Sequence, residues 1–134
     1  MDRPAKTLGM RHLALFVRQL EACTTFYTQL IGMTIDWQPD PDNVYLTSGS
    51  DNLALHRAPA DFSPEKHQRL DHFGFFTASA EDVDHWHAWL AEKKVKILAS
   101  PRNHRDGTRS FYCADPEGNR IQFIHMPQAI VSPA

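Results

Sequence analysis

The feature of this chain that most constrains its fold is a repeat with an offset of 60 residues. Residues 11–17 and 71–77 are both apolar, strand-like stretches, and each carries a histidine at its second position. The same offset relates two amphipathic helical stripes, in which Cys23, Phe26, Tyr27 and Leu30 correspond to Val83, Trp86, His87 and Leu90. Three further strand-like segments follow each helix. The chain therefore reads as two copies of one βαβββ unit.

The repeat also predicts the organisation of the chain. Module one covers about residues 10–57 and module two about residues 71–125, separated by a polar, proline-containing linker at 58–70 and followed by a loosely held tail at 126–134. A chain of 134 residues with 42% hydrophobic residues fits a single domain. The predicted strands are 10–17, 33–37, 44–47 and 53–56 in module one, and 71–77, 95–98, 110–113 and 120–124 in module two.

Local signals predict how the helices begin and end. Gly32 stands where a left-handed residue would end the first helix, and Ser79 is placed to cap the start of the second. A helical turn is expected within the linker at 64–67, and a loop is expected at 100–108. Residues 115–119 read as a tight turn whose acidic side chains need no catalytic role.

Composition excludes several classes of partner. A net charge of −2 gives no indication of a nucleic acid or an anionic membrane as partner, and no apolar run approaches the roughly 18 residues of a membrane span. The first residues lack the apolar core of a secretory signal. Cys23 and Cys113 lie on different predicted elements, which favours free thiols and a cytoplasmic location.

The two repeated histidines are predicted to face a common cleft. Because side chains alternate along a strand, His12, Ala14 and Phe16 share one face while the large aliphatic residues between them pack against a helix. His72 and Gly74 repeat this arrangement in module two. A pseudo-twofold axis between the modules would place both uncovered faces around one cleft, and the small residues after each histidine would leave room beside the imidazoles.

Four segments resemble the vicinal oxygen chelate superfamily, which includes glyoxalase I, extradiol dioxygenases, fosfomycin-resistance enzymes and bleomycin-resistance proteins. The segments are RHLALFV at 11–17, FYTQLIGM at 26–33, DHFGF at 71–75 and FYCADPEGNRIQF at 111–123. The resemblance implies an α+β fold in which two tandem βαβββ modules form a partly closed mixed β-barrel around a cleft, with the helices outside. It also implies a divalent metal ion, for which Fe, Zn, Ni and Mn are the candidates.

The resemblance assigns metal ligands position by position. The first-strand ligands fall on His12 and His72, and the fourth-strand ligand of module two, usually Glu, falls on Gln122. The corresponding position in module one is Ala54, with His56 two residues further on the same face. A glutamine oxygen can bind a cation but brings no negative charge, so His56 is the alternative source of a third donor.

The resemblance also indicates substrate contacts. Ser110 and Tyr112 lie on a strand that lines the cleft in the superfamily, and the aromatic residues Phe16, Trp37 and Phe76 would add contact area. The basic stretch 102–109 is either a solvated loop or a mobile lid whose arginines meet an anionic group on a substrate.

Three functions follow from these expectations. The first is a metal-dependent lyase or dioxygenase that chelates vicinal oxygens of a small substrate. The second is a metal-free protein of the bleomycin-resistance type that sequesters an antibiotic or aromatic ligand. The third is a fosfomycin-type thiol transferase, which Ser110 and Tyr112 fit, although no counterpart of that family's potassium-binding loop is evident and Gln122 counts against it. The resemblance implies a homodimer in each case.

Overall fold

The computed structural model describes residues 1–127. Module one contains β1 (His12–Val17), α1 (Leu20–Thr25) with a π-helical continuation (Phe26–Leu30), β2 (Thr34–Asp40), β3 (Asn43–Thr47) and β4 (Asn52–Arg57). Module two contains β5 (Phe73–Phe76), α2 (Ala80–Glu92), β6 (Ile97–Asn103), β7 (Arg109–Ala114) and β8 (Arg120–His125). The α+β class and the βαβββ repeat are both confirmed.

Each module forms one mixed four-stranded sheet. The strand orders are β1-β4-β3-β2 and β5-β8-β7-β6, so the two sheets have the same topology. The first strand runs parallel to the fourth in each sheet, and the remaining neighbours are antiparallel. Within residues 1–127 no strand of one sheet pairs with a strand of the other, which leaves β1 and β5 as edge strands. The expected partial barrel is therefore not closed by strand pairing within one chain.

The core joins both modules. One hydrophobic cluster contains Leu15 and Val17 from β1 together with Phe111 and Phe123 from module two. The rings of Phe111 and Phe123 stack with centroids 5.1 Å apart, and both side chains are fully buried. Burying a side chain of this size stabilises the fold by roughly 1.5–3 kcal/mol. The inward positions of β1 are those that the alternation pattern predicts.

The turn at 115–119 connects the two modules. The hydroxyl of Tyr27 donates to Asp115 Oδ2 at 2.6 Å in the buried interior. The Glu117 carboxylate accepts from the backbone N–H groups of Arg18 at 2.7 Å and Gln19 at 3.2 Å. These residues lead directly into α1, where a negative charge is favourable for the helix dipole. The turn was correctly predicted. Its contacts with module one were not, because the partner residues lie about a hundred positions earlier in the sequence.

A second polar contact joins the two helical layers. The indole N–H of Trp89 on α2 donates to the carbonyl oxygen of Leu30 at 2.9 Å. That carbonyl ends the first helical segment, where backbone oxygens lack partners within the helix. Gly32 follows with φ of +91°, which confirms the predicted left-handed position. Ser79 also caps α2 as predicted, since its side chain accepts from the Asp82 N–H at 3.1 Å.

Several boundaries differ from the predictions. Strand β6 extends to Asn103, so the loop that was expected at 100–108 covers only 104–108. The strand continues past Pro101, which has no backbone N–H to donate, because its pairing with β7 is irregular there. Strand β1 begins at His12 and not at Met10, whose side chain is fully exposed. Strand β5 begins at Phe73, so His72 lies just before it. The linker has no helical turn at 64–67. Residues 128–134 of the expected tail lie outside the described residues.

Both cysteines are buried free thiols, as predicted. Burial raises the pKa of Cys23 and of Cys113 to about 12, with the charge of Asp115 acting in the same direction. The two thiols are therefore protonated at neutral pH. Among the described residues, no helix is long and apolar enough to cross a membrane.

Candidate functional site

The open face of module one is the sheet face that carries His12, Ala14 and Phe16. Parallel pairing with β4 places Asn52 beside His12. The Oδ1 atom of Asn52 lies 2.7 Å from His12 Nδ1. An oxygen acceptor at this distance holds the proton on Nδ1, which leaves the lone pair of His12 on Nε2. His12 is thereby oriented in the way that metal-binding histidines are oriented by their neighbours.

His72 has a corresponding arrangement at the start of module two. Its Nδ1 lies 2.6 Å from Asp71 Oδ2, and its side chain is one-third exposed. The hydrogen bond and charge of His72 lower the pKa of the Asp71 carboxyl group. The Tyr112 ring meets the His72 ring edge-on at 5.2 Å. His72 is therefore held by a carboxylate on one side and an aromatic ring on the other, with Nε2 available to a ligand.

Gln122 lies on the open face of module two, opposite Gly74 on β5 and Tyr112 on β7. Its side chain is half-buried, and its amide has no hydrogen-bond partner within residues 1–127. A Cβ atom at Gly74 would collide with the backbone carbonyl of Gln122. Glycine is therefore required at position 74 by the close approach of β5 and β8, in addition to leaving space beside His72.

His56 lies at a distance from His12. It occupies the register position of Phe16, four residues beyond Asn52 on β4, which corresponds to about 13 Å along the strand. Its Nδ1 lies 2.6 Å from Asn43 Oδ1, and its ring meets Tyr45 edge-on. Across the described part of the chain, no three His, Cys, Asp or Glu side chains are gathered as a metal-binding group. The structure thus does not bring His56 beside His12.

His12 and His72 do line one common cleft. It lies between β1 and β5 and has a volume of about 360 Å³. Its other lining residues are mainly apolar and include Leu13, Met33, Leu53, Phe73 and Phe75. Gln122 and His56 are outside this cleft. One chain therefore brings the two first-strand histidines to the same cavity, whose polar lining also includes Arg11, Asp51 and Asn52.

The three predicted aromatic contacts are all more than half exposed: Phe16, Trp37 and Phe76. Phe16 lies 5.8 Å from the ring of Phe62 in the linker, and Trp37 stacks on Tyr45 at 5.2 Å. Each ring therefore has exposed area that a ligand or a second protein could cover.

Ser110 is buried in the structure. Its side chain is 1% exposed, and its hydroxyl lies 2.7 Å from His104 Nε2. The backbone of His104 bonds to Thr108, which closes the β6–β7 hairpin. Arg109 binds the Asp84 carboxylate at 2.7 Å, so this arginine of the basic stretch is already paired. Ser110 would meet a substrate only after His104 moves.

Arg120 is a candidate that sequence reasoning missed. It precedes Gln122 by two residues on β8 and shares its face of the sheet. Its guanidinium lies 5.7 Å from the centre of the Tyr112 ring, and its side chain is exposed. Its charge adds to the effect of the His72 hydrogen bond in lowering the pKa of Asp71. Strand alternation from Gln122 would have identified it.

The model of the Glyoxalase/Bleomycin resistance protein/Dioxygenase superfamily matches residues 9–123. The chain belongs to this superfamily. It is 28% identical over 115 residues to the metallothiol transferase FosB of Staphylococcus epidermidis, covering 85% of this chain and 79% of that protein. It is 29% identical over 117 residues to the glutathione transferase FosA of Serratia marcescens, covering 85% and 78%.

A solved structure has the same fold as this chain. The lactoylglutathione lyase of Agrobacterium tumefaciens superposes with a TM-score of 0.75 at 19% sequence identity. The superposition covers 95% of this chain and all of the lyase chain. At this level of identity the likeness supports the fold alone.

The superfamily implies a divalent metal ion, and two of the residues present, His12 and His72, fit one in the way they are oriented. His12 and His72 each have Nδ1 bound to an oxygen, which directs the Nε2 lone pair to a ligand. The amide of Gln122 is free to offer its oxygen. Imidazoles and amide oxygens are donors that divalent transition metals accept, but within one chain only the two imidazoles line the same cleft.

Proposed function

We propose that this protein is a divalent-metal-dependent enzyme that transfers a thiol to a small, oxygen-bearing electrophile. The observation that carries the proposal is the matched orientation of His12 by Asn52 and of His72 by Asp71. Both curated relatives described above are named as thiol or glutathione transferases, which favours this reaction class. The proposal assigns His12, His72 and Gln122 to the metal ion.

The metal ion would supply Lewis-acid polarisation of a substrate oxygen. Tyr112, which contacts His72, and Arg120, which contacts Tyr112, would position the substrate on the open face of module two. In the transfer a sulfur–carbon bond forms, a carbon–oxygen bond breaks, and the thiol proton ends on the released oxygen. Burial raises the pKa of Cys23 and Cys113 to about 12, so the reacting thiol must come from a free cosubstrate.

A second copy of the chain would complete the site. The open faces of the two sheets expose Phe16, Trp37 and Phe76. A homodimer that pairs module one of one copy with module two of the other would bury these rings. It would also place the open sheet face of the second copy opposite the histidines of the first. A monomeric mass in solution would count against this part of the proposal.

The lyase and dioxygenase reactions are less well supported. Gln122 supplies neither the general base that a ligating glutamate provides nor the carboxylate that non-heme iron sites usually contain. A metal-free binding protein is the second candidate function. The uncharged Gln122 and the exposed aromatic rings favour it, because they suit an apolar ligand without a metal ion.

The deciding measurement is the metal content of protein purified without added metal. Wild type is compared with a His12→Ala/His72→Ala double variant, with His85→Ala as control because the His85 side chain is 72% exposed on α2. Stoichiometric metal in wild type and in the control, lost in the double variant, supports the enzyme. Wild type that neither contains nor takes up a divalent ion refutes it and leaves the binding protein.

Thiol transfer itself is tested by mass spectrometry. Wild type with Mn²⁺ and glutathione is incubated with a panel of small epoxides that includes fosfomycin. A glutathione adduct formed by wild type and absent with the double histidine variant supports the reaction class. Metal binding without any adduct across the panel would leave a metal-dependent enzyme of another reaction type.

A further inference from the structure

We infer that the cleft between β1 and β5 binds a free α-amino acid with a large apolar side chain. The cleft combines an apolar floor with two residues of opposite charge, Arg11 and Asp51. The inference goes beyond the proposed function, because it uses the inner faces of the strands and needs no metal ion.

The floor of the cleft is a gap at one end of the hydrophobic core. Five apolar side chains line it, and all of them belong to the core cluster or pack against it: Leu13, Met33, Leu53, Phe73 and Phe75. Pockets for small ligands are typically lined in this way, with a few polar groups that fix the orientation of the ligand. The floor therefore favours a ligand with an apolar body.

The two charged residues stand side by side at the end of this floor. Strands β1 and β4 run parallel with Leu13 opposite Leu53, and the N–H of Asn52 donates to the carbonyl oxygen of Arg11 at 2.7 Å. Arg11 and Asp51 therefore occupy neighbouring positions just before the two strands begin. Because side chains alternate along an extended chain, Arg11 shares the face of Leu13 and Asp51 shares the face of Leu53.

The guanidinium of Arg11 is available to an anion. Arg11 is exposed and makes no ion pair within residues 1–127. A guanidinium presents parallel N–H donors that match the two oxygens of a carboxylate. Arg11 therefore favours a ligand whose apolar body carries a carboxylate.

The carboxylate of Asp51 is held in place with one oxygen to spare. Its Oδ1 accepts from the N–H of Ser48 and from the hydroxyl of Thr47, whereas its Oδ2 makes no hydrogen bond within the described part of the chain. Asp51 and Arg11 are neighbours, yet no ion pair joins them. An unpaired cation beside an unpaired anion complements a zwitterion.

A free amino acid has the three groups that this cleft matches. Its carboxylate would meet Arg11, its ammonium group would meet Asp51, and its side chain would fill the floor. A simple carboxylic acid or amine satisfies one charge only, and the first residue of a peptide lacks the free carboxylate. His12 and His72 also line the cleft, but alternation places them on the strand faces opposite to Leu13 and Phe73.

Binding is tested by calorimetry on the full chain after its metal has been removed with a chelator and the chelator has been dialysed away. Metal removal matters because an amino acid could otherwise chelate an ion at the histidines. L-Phenylalanine and L-leucine are expected to bind. L-Alanine should bind at least about tenfold more weakly, because it leaves the floor unfilled.

Two analogues of phenylalanine separate the charges. 3-Phenylpropionate lacks the ammonium group and phenethylamine lacks the carboxylate, while both keep the apolar body. Each should bind at least about tenfold more weakly than L-phenylalanine, which is the loss expected for a hydrogen bond between charged groups.

Two variants assign each charge to its residue. Arg11→Gln should weaken L-phenylalanine at least about tenfold without weakening phenethylamine, and Asp51→Asn should weaken L-phenylalanine equally without weakening 3-phenylpropionate. Asparagine keeps an oxygen for the N–H of Ser48. The matched controls Arg3→Gln and Asp36→Asn change exposed residues outside the cleft and should bind as wild type does.

Thermal unfolding of each variant shows whether it is folded before its affinity is compared. The inference is overturned if neither L-phenylalanine nor L-leucine binds at millimolar concentration. It is also overturned if either analogue binds as tightly as L-phenylalanine, or if folded Arg11→Gln and Asp51→Asn keep the affinity of wild type. None of these results changes the standing of the proposed function, because the protein is tested without metal.

Discussion

The hydroxyl of Tyr27 donates a 2.6 Å hydrogen bond to Asp115 Oδ2 and thereby joins the first helical segment of module one to the last turn of module two. Both residues are buried, and the same carboxylate also accepts from Asn119 Nδ2 and from two backbone N–H groups of its own turn. Burial, followed by the charge of Asp115, raises the pKa of Tyr27 well above its ordinary value. The phenol is therefore protonated at neutral pH and can serve as the donor.

Tyr27→Phe should destabilise the protein by about 1.5–3 kcal/mol, the range for a hydrogen bond to a charged group, because the buried carboxylate loses its donor from module one. Urea denaturation measures the change. Tyr45→Phe serves as control, since the Tyr45 hydroxyl makes no hydrogen bond within the described part of the chain and should change stability little. Equal stabilities of Tyr27→Phe and wild type would show that the contact adds nothing.

Gly74→Ala should destabilise the protein by about 1–3 kcal/mol, because the new methyl group must push the β8 carbonyl of Gln122 away. The same displacement would move the Gln122 side chain, so metal uptake should also fall. Thermal unfolding and metal content are measured on the same preparation. An unchanged melting temperature would mean that β5 and β8 can separate at little cost.

The Asp84–Arg109 pair should make stability depend on acid pH. The Arg109 hydrogen bond lowers the pKa of Asp84 below its ordinary value of 3.8. As pH falls, Asp84 is therefore protonated in the unfolded chain before it is protonated in the folded protein. The stability that the Asp84–Arg109 pair contributes is complete above about pH 5 and is lost progressively below pH 4. Replacing Arg109 by Met should remove that part of the pH dependence between pH 6 and 3.

The measurement for this pair is the free energy of unfolding at several pH values. Arg105→Met is the matched control, because Arg105 is exposed in the same hairpin and makes no ion pair within the described residues. Parallel stability curves for Arg109→Met and wild type would contradict the prediction.

Both thiols should be unreactive in the native state. A rise in the cysteine pKa from 9.0 to about 12 reduces the thiolate fraction near neutral pH by about a thousandfold, and burial excludes the reagent as well. A colorimetric disulfide reagent at pH 8 should detect no fast-reacting thiol until denaturant is added, and then two. Rapid reaction of one thiol in the folded protein would indicate that α1 or β7 opens locally.

Much of the fold could be predicted from local patterns. Strand alternation correctly separated the inward Leu15 and Val17 from the outward Phe16, and the helix signals at Gly32 and Ser79 were right. Alternation reports which face a residue occupies because its period is a property of the backbone alone. It does not report which distant segment meets that face.

The remaining features depend on such distant contacts. His104 covers Ser110 only because β6 continues past Pro101 and brings the hairpin over β7, which no local signal predicted. His56 had the correct face but lies too far along β4 to accompany His12, because register along the strand, and not face alone, sets the distance. The roles of His12, His72 and Gln122 in metal binding stay predictions.

The contact between Glu117 and the start of α1 has a consequence for how this chain folds during synthesis. The backbone N–H groups of Arg18 and Gln19 find their acceptor 98 to 99 residues later in the chain. Most of the polypeptide must therefore leave the ribosome before the first helix obtains its final support. A fragment that ends in the linker would lack both Glu117 and Asp115. Its first helix should therefore be less stable in the fragment than in the full chain.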